Sequence, residues 1–180
     1  MSETALLLSI HGLTRPFLDT LFRFSHELGT LSFSAVLVFA AIAWHLSRGE
    51  RREALVWLVV GLATLVLYLS LKPIIGRPRP DLWRPRLVAE TGFSFPSGHA
   101  LASAAFYPLL AWATLRLRRV RFVLVGVGLP LFVGLGRLYL GVHWPTDVLA
   151  GWALGAAQTA AAIRWLGCPA TPRTDPPPGI

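Results

Sequence analysis

The sequence predicts an all-α integral membrane protein, a bundle of five transmembrane helices preceded by an N-terminal amphipathic helix at the membrane interface. Of the 180 residues, 54% are hydrophobic and only 14% are charged. Soluble domains carry about a quarter charged residues. Five separate segments are apolar enough to cross a bilayer, and residues 3–28 show the periodicity of an amphipathic helix instead.

The predicted spans follow the long apolar segments of the chain. A membrane-crossing helix needs ~20 apolar residues, and in hydrocarbon only a helix or a closed barrel satisfies its own backbone hydrogen bonds. The apolar segments are too long and too continuous for barrel strands. We therefore expect transmembrane helices at about 31–47, 54–71, 100–115, 122–140 and 148–166.

These spans define one predicted domain over residues 1–166, of which 31–166 form the transmembrane bundle. Residues 167–180 are rich in proline, so we expect a disordered tail there. Within the last span, Gly151 and Gly155 form a GxxxG pair, which predicts close packing against another helix.

Residues 3–28 differ from the spans because their apolar residues recur at spacings of three and four. This pattern predicts an amphipathic helix on the membrane surface or against the bundle, with a break near Thr14, Arg15 and Pro16. A sixth, poorly apolar span is the alternative. The apolar positions are Leu6, Ile10, Leu13, Phe17, Leu21, Phe24 and Leu28.

Basic residues in the short loops give the orientation. The positive-inside rule assigns nine of them to the cytoplasm: Arg48, Arg51, Arg52, Arg116, Arg118, Arg119, Arg121, Arg164 and Arg173. Eight then lie outside: Arg15, Arg23, Lys72, Arg77, Arg79, Arg84, Arg86 and Arg137. Six of these eight fall between Lys72 and Arg137, which suggests a function for them at the outer face. We expect a multi-pass plasma (inner) membrane protein with this face toward the periplasm.

Two classes of site are disfavoured by composition. The formal charge of +8 and a pI of about 11.2 do not indicate nucleic-acid binding, because the basic residues alternate with long apolar segments. The single cysteine, Cys168, excludes an internal disulfide and a cysteine-rich metal site.

Three polar segments are predicted to meet at the outer face. They are residues 72–80, 96–99 and 137–147. Lys72, Arg79 and Arg137 bring positive charge, while Ser97 and Gly98 stand at the expected N-terminus of the third span. Free N–H groups at a helix N-terminus bind anions, and a glycine lets an oxyanion approach the backbone. We therefore expect a phosphate site, with His99 beside the bound anion.

His143 and Asp147 are four residues apart at the expected start of the last span. At this spacing a carboxylate reaches the histidine ring and orients it. A zinc site formed by these two residues and His99 is the alternative. The cations Lys72, Arg79 and Arg137 would repel a metal dication and suit an anion with several oxygens, which favours metal-free phosphoryl transfer.

These segments resemble the motifs of the type 2 phosphatidic acid phosphatase (PAP2) superfamily, in particular its membrane lipid phosphatases. The matching pattern is Lys72, six residues, Arg79-Pro80, then Pro96-Ser97-Gly98-His99, then Arg137, five residues, His143, three residues and Asp147. One position departs from the family, which usually has serine before the third-segment arginine, where this chain has Gly136.

The resemblance implies a role for each matching residue. His143 would be the nucleophile that forms a phosphohistidine, Asp147 would orient it, and His99 would act as general acid and then general base. Phosphoryl oxygens would be held by Lys72, Arg79, Ser97, Gly98 and Arg137. No cofactor and no metal are implied.

The expected activity is hydrolysis of a lipid phosphomonoester or diphosphate, such as undecaprenyl diphosphate, phosphatidylglycerophosphate, phosphatidic acid or lipid A 1-phosphate. The expected partners are this lipid and the bilayer, without nucleic acid, and the sequence does not indicate an oligomeric state. Alternatives are a lipid phosphotransferase with the same site, a vanadate-dependent haloperoxidase and a non-catalytic lipid-binding or transport protein. We interpret His11, His26 and His45, which have no partners in the motifs, as structural or surface residues. Arg77, Arg84 and Arg86 are interpreted as solvated loop arginines, with binding of lipid head groups as the alternative.

Overall fold

The computed structural model describes residues 2–84, 87–115 and 118–167, and all regular secondary structure in these ranges is helical. The predicted all-α class is therefore confirmed. The proline-rich stretch 168–180 and the loop arginines 86 and 116 lie outside the described residues.

The N-terminal region forms two helices, α1 over Glu3–His11 and α2 over Pro16–Leu28. The chain breaks between them where the sequence predicts it, because Pro16 has no N–H to continue α1 but fits the first turn of a new helix. Only α2 is strongly amphipathic, with Phe17 and Phe24 exposed on its surface.

The next two helices form a hairpin, with α3 over Leu31–Ser47 and α4 over Arg51–Ile75. Thr30 caps α3 by accepting a hydrogen bond from the Phe33 N–H at 3.2 Å. Gly76 ends α4 in the left-handed conformation at φ +63°, which a glycine adopts without steric cost. This end of α4 carries Lys72 toward the loop that contains Arg79.

The remaining helices complete the bundle. α5 spans Gly98–Leu109 and continues as a π-helical turn over Leu110–Thr114. α6 (Arg119–Phe122), a second π-helical segment (Val123–Gly128) and α7 (Leu129–Tyr139) follow one another, and α8 spans Pro145–Gly167.

All five predicted spans are helical, but their number as membrane crossings stays a prediction. Within the described ranges, two helices are long and apolar enough to cross a membrane by length and composition, Arg51–Ile75 and Val120–Tyr139. A third is added if α2 and α3, which are bent by 49° at their junction, count as one span. Large side chains exposed on α3 and α4, among them Phe39 and Val66, form an apolar surface suited to lipid.

The closest helix pairing is between α5 and α8, and it depends on the two glycines of the GxxxG pair. A Cβ atom on Gly151 would lie 2.7 Å from the Ser97 carbonyl oxygen, and one on Gly155 would lie 2.4 Å from the Leu101 carbonyl oxygen. The predicted close packing is thus confirmed. It holds the start of α5 against the start of α8.

At the opposite end of the bundle, His45 has the structural role predicted for it. Its ring is fully buried, with Nδ1 2.7 Å from Glu50 Oε2 and Nε2 2.9 Å from Thr114 Oγ1. Since Trp57 Nε1 donates to the same threonine hydroxyl at 3.2 Å, this network joins α3, α4 and the π-helical end of α5.

Candidate active site

Residues from all three polar segments line one cavity at one end of the bundle. The cavity has a volume of about 220 Å³, and its polar end contains Lys72, Arg79, Glu90, Gly98, His99 and His143. The Ser97 N–H donates to the Asp147 carbonyl oxygen at 3.0 Å, which joins the starts of α5 and α8. The two histidines therefore face the same space, although 44 positions separate them in the sequence.

His143 lies between a carboxylate and a guanidinium. Its Nδ1 is 3.5 Å from Asp147 Oδ2, and its Nε2 is 3.1 Å from an Nη of Arg79. Because an arginine only donates, Nε2 is the unprotonated ring nitrogen in this contact. The free electron pair of the imidazole thus points toward the cationic side of the cavity, and the carboxylate stands behind the ring.

The surroundings of His143 keep its ring neutral. Burial, followed by the positive charges of Arg137, Arg79 and Lys72, lowers the pKa of His143 well below its ordinary value. A neutral imidazole is the form that has a free electron pair for nucleophilic attack, and this environment favours that form.

Arg79 and Arg137 are joined by Glu90. Arg137 is fully buried and donates to Glu90 Oε1, while Arg79 donates to Glu90 Oε2 at 3.3 Å. The Glu90 carboxylate thus lies between the guanidinium groups of Arg79 and Arg137. A phosphate with its several oxygens suits the same pair of cations.

His26 belongs to this cluster, so the expectation that it has no partner in the motifs is wrong. Its Nδ1 is 2.6 Å from an Nη of Arg137, and its ring stacks on His99 with 4.8 Å between the ring centroids. The helix α2 places it there. Periodicity shows which face of α2 is polar, but it does not show which partner that face meets.

Arg77 is also not a solvated loop arginine. Its side chain is 27% exposed and donates to Asp147 Oδ1 at 2.7 Å. Two positions separate Arg77 from Arg79 in an irregular loop, and such spacing gives no indication of where either side chain points.

Ser97 and Gly98 form the start of α5, as expected, but their contacts differ from the expectation. Ser97 is fully buried and its hydroxyl accepts from the Ala100 N–H at 3.4 Å, as an N-cap does. A Cβ atom on Gly98 would lie 2.6 Å from the Tyr68 ring, so packing against α4 alone requires a glycine here. Lys72, one turn further along α4, donates from Nζ to the Phe93 carbonyl oxygen at 2.6 Å.

One group of side chains in the described residues has the spacing of metal ligands. Ligand atoms of His26, Glu90 and His99 lie within 4.8 Å of one another. The Arg137 guanidinium already contacts both His26 and Glu90, and its positive charge opposes a dication at this place. The donor set therefore suits the binding of Arg137 better than the binding of a metal.

The space beside Gly136 is occupied by Ser25 of α2. A Cβ atom at position 136 would lie 2.0 Å from Ser25 Oγ, and Ser25 is fully buried. The glycine thus permits the close approach of α2 to α7. A serine at position 136 would require Ser25 to move.

The cavity continues from its polar end into an apolar groove between α3, α4 and α5. The groove is lined by side chains such as Ala35, Phe39, Leu58, Leu62 and Phe106. One end of the cavity is thus suited to an anion and the other to a hydrocarbon chain.

Comparison with known proteins gives a consistent result. A family model described as the PAP2 superfamily matches residues 54–167. The phosphatidylglycerophosphatase B of Bacillus subtilis is 34% identical over 148 residues, 78% of this chain and 71% of that protein. The phosphatidylglycerophosphatase B of Escherichia coli is 41% identical over 99 residues, 52% of this chain but only 38% of the relative. An undecaprenyl-diphosphatase of Sulfolobus acidocaldarius is 36% identical over 90 residues, 47% of this chain and 41% of that protein.

Two solved structures share the fold. The transmembrane PAP2-type phosphatidylglycerolphosphate phosphatase of Bacillus subtilis superposes with a TM-score of 0.78 at 29% identity, covering 91% of this chain and 83% of the other. The LpxE of Aquifex aeolicus superposes with a TM-score of 0.71 over 89% of this chain and 93% of that one. At 22% identity, the second likeness concerns the fold alone.

Proposed function

The chain belongs to the PAP2 superfamily of lipid phosphatases, and from this premise we propose that it hydrolyses a phosphorylated membrane lipid through a phosphohistidine intermediate. The observation that carries the proposal is the environment of His143, with Arg79 on Nε2, Asp147 behind Nδ1 and His99 across the same cavity.

In the first step, the Nε2 atom of His143 attacks phosphorus and the bond to the lipid oxygen breaks. His99 donates a proton to that departing oxygen, as a general acid does. Asp147 supports the positive charge that develops on the attacking imidazole. Lys72, Arg79, Arg137, the Ser97 hydroxyl and the Gly98 N–H at the start of α5 hold the phosphoryl oxygens as charge moves between them.

In the second step, His99 takes a proton from water, whose oxygen attacks the phosphoryl group on His143. The P–N bond breaks, phosphate leaves and His143 returns to its neutral form. Every proton in this sequence moves to or from a side chain of the cavity, so the scheme requires no metal and no cofactor.

The apolar groove supports a lipid substrate. A phosphate at the polar end places the attached hydrocarbon chain among α3, α4 and α5, where apolar side chains line the cavity. Residues 1–166 act as one unit in this proposal, because α1 and α2 contribute contacts to the site. Undecaprenyl diphosphate, phosphatidylglycerophosphate, phosphatidic acid and lipid A 1-phosphate are the candidates, presented from the outer face of the plasma membrane.

The test is phosphate release from this panel of lipids by the purified protein in detergent, with EDTA present. We expect release by the unaltered protein and a loss of at least about a thousandfold in His143→Ala, because the nucleophile is gone. His11→Ala is the matched control, since His11 stacks on Trp83 at 4.1 Å and is not part of the cavity. Turnover that persists in His143→Ala, or that stops with EDTA, would exclude this mechanism.

A further inference from the structure

Arg77 links the N-terminal helix to the carboxylate behind His143. One Nη atom of Arg77 donates to Asp147 Oδ1 at 2.7 Å and to Thr146 Oγ1 at 2.6 Å. The other donates to Glu3 Oε2 at 2.5 Å. Glu3, Arg77 and Asp147 thus form a line of alternating charges that ends beside His143.

Glu3 also holds the first turn of α8. Its Oε1 atom accepts from the Thr146 N–H at 2.9 Å and from the Thr146 hydroxyl at 2.7 Å. The N–H groups of a first helical turn have no partner inside the helix, so a carboxylate from α1 serves here as the cap of α8. Burial raises the pKa of Glu3, but the hydrogen bonds from Thr146 and Arg77 outweigh burial and lower it overall.

The orientation of Asp147 is set from two sides. Arg77 holds Oδ1, while Oδ2 accepts from the Trp144 N–H at 2.9 Å and lies 3.5 Å from His143 Nδ1. The Asp147 side chain is fully buried. A rotation about its Cβ–Cγ bond would break the hydrogen bonds from Arg77 and from the Trp144 N–H. Such a rotation would also move Oδ2 away from the ring.

We propose that Arg77 is a positioning residue for Asp147 and His143, and that Glu3 fixes Arg77, so that the N-terminal helix α1 takes part in phosphoryl transfer. This inference rests on the proposed function. Arg77 acts through Asp147, because its guanidinium donates to that carboxylate, to Thr146 and to Glu3. The cations assigned to the phosphate are Lys72, Arg79 and Arg137.

The experiment compares Arg77→Met, Arg77→Lys, Glu3→Gln and the double variant Glu3→Gln with Arg77→Met, using the full chain in detergent. Arg84→Met is the matched control, because Arg84 lies in the same loop with a 70% exposed side chain that pairs with Asp81. For each protein, kcat and KM are measured with the best lipid of the panel. Inhibition by inorganic phosphate and the thermal unfolding midpoint are measured alongside.

We expect kcat to fall about 10–100-fold in Arg77→Met, since misplacing a catalytic group by about an ångström has this effect. KM and the inhibition constant of inorganic phosphate should stay within about twofold, because the phosphate contacts remain. Arg77→Lys should recover part of kcat. Glu3→Gln keeps an oxygen for Thr146 but removes the negative charge that pairs with Arg77. This variant should lower kcat about threefold to tenfold. The double variant should be no slower than Arg77→Met, because both changes act on one chain of contacts.

Two results would overturn the inference. One is an unchanged kcat in Arg77→Met and Glu3→Gln. The other is a loss in which kcat, phosphate inhibition and the unfolding midpoint fall together without recovery in Arg77→Lys, since that pattern belongs to a structural ion pair. Failure of the proposed function looks different, because the unaltered protein then releases no phosphate, or His143→Ala remains active.

Discussion

At the scale of single residues, the site depends on a histidine that stays neutral among cations. Arg137, Arg79 and Lys72 lie near His143 and, together with its burial, lower its pKa. The same cations are expected to bind the phosphate. In the proposed mechanism, one set of charges therefore serves substrate binding and also keeps His143 unprotonated.

This dual use predicts a pH effect in Lys72→Met. Protonated His143 cannot attack phosphorus, so kcat/KM falls as the pH drops through the pKa of His143. Removing a nearby positive charge raises that pKa, and the fall should therefore begin at a higher pH in the variant. We also expect kcat/KM at neutral pH to decrease about 10–1000-fold, because a charge-assisted contact to the phosphoryl group is lost.

The measurement is the pH profile of kcat/KM for each protein, normalised to its own maximum. Arg84→Met is again the control, because its exposed charge lies in the loop between α4 and α5 and the pH profile of this variant should match that of the unaltered protein. An acid limb that stays in place in Lys72→Met would show that Lys72 does not influence the protonation of His143.

Residue types and spacing predicted part of the site. Lys72, Arg79, Gly98, His99 and His143 were predicted to share a site, and the structure gathers them around one cavity. His26, Glu90 and Arg77 were not predicted, since helix periodicity and loop sequence do not specify a partner in another helix. Of these three residues, only Glu90 could have been identified from the sequence, because an acidic side chain within a strongly basic loop suggests an ion pair.

At the scale of helices, the pairing of α5 with α8 sets the distance between His99 and Asp147. Gly155 allows the two backbones to approach, as a Cβ atom there would lie 2.4 Å from the Leu101 carbonyl oxygen. The geometry of the candidate site thus depends on a glycine that lies two helical turns away from Asp147.

Gly155→Ala is therefore expected to separate the two helices. The added methyl group should lower the free energy of unfolding by about 1–3 kcal/mol, as overpacking does. It should also decrease kcat, because His99 and Asp147 move apart with their helices. Thermal unfolding in detergent and phosphate release measure the two effects.

Gly167→Ala is the matched control, because a Cβ atom at Gly167 meets nothing within 4 Å. It should preserve both stability and turnover. If Gly155→Ala behaved in the same way, α5 and α8 would not be held as closely as the structure has them.

Helix boundaries could be predicted only where a local signal exists. The break before Pro16 and the start of α5 at Ser97 and Gly98 follow from backbone chemistry. The π-helical segments at Leu110–Thr114 and Val123–Gly128 have no comparable signature in the sequence. Hydrophobic periodicity does not distinguish a π-helical turn from an α-helical one.

At the scale of the whole molecule, the cavity joins an end lined by basic residues and histidines to an apolar groove. Ala35 lines the groove on α3, whereas Ala40, on the same helix, is exposed on the surface. We expect Ala35→Phe to decrease the turnover of a long-chain lipid phosphate about tenfold or more, because the ring fills space that the hydrocarbon needs.

Hydrolysis of a short, soluble phosphate monoester such as p-nitrophenyl phosphate should change little in Ala35→Phe, because such a substrate uses only the polar end. Ala40→Phe should leave both activities intact. An equal loss on both substrates would place the lipid chain outside the groove.

The overall class was accessible from the sequence because a bilayer imposes long apolar segments on any helix that crosses it. The arrangement of these helices was not accessible from the sequence, because close packing depends on contacts such as those of Gly151 with the α5 backbone. The family motifs linked the fold class to the arrangement of the helices, because they identified residues far apart in the chain that were expected to lie close together.

The most direct test of the account is to trap the phosphoryl group on the enzyme. A lipid substrate carrying ³²P in its terminal phosphate is mixed with the protein and quenched in alkali within the first turnover, and the labelled peptide is sequenced. We predict an alkali-stable, acid-labile label on His143 that is absent from His143→Ala. Label on another residue, or hydrolysis with no label during a resolved first turnover, would contradict the phosphohistidine mechanism.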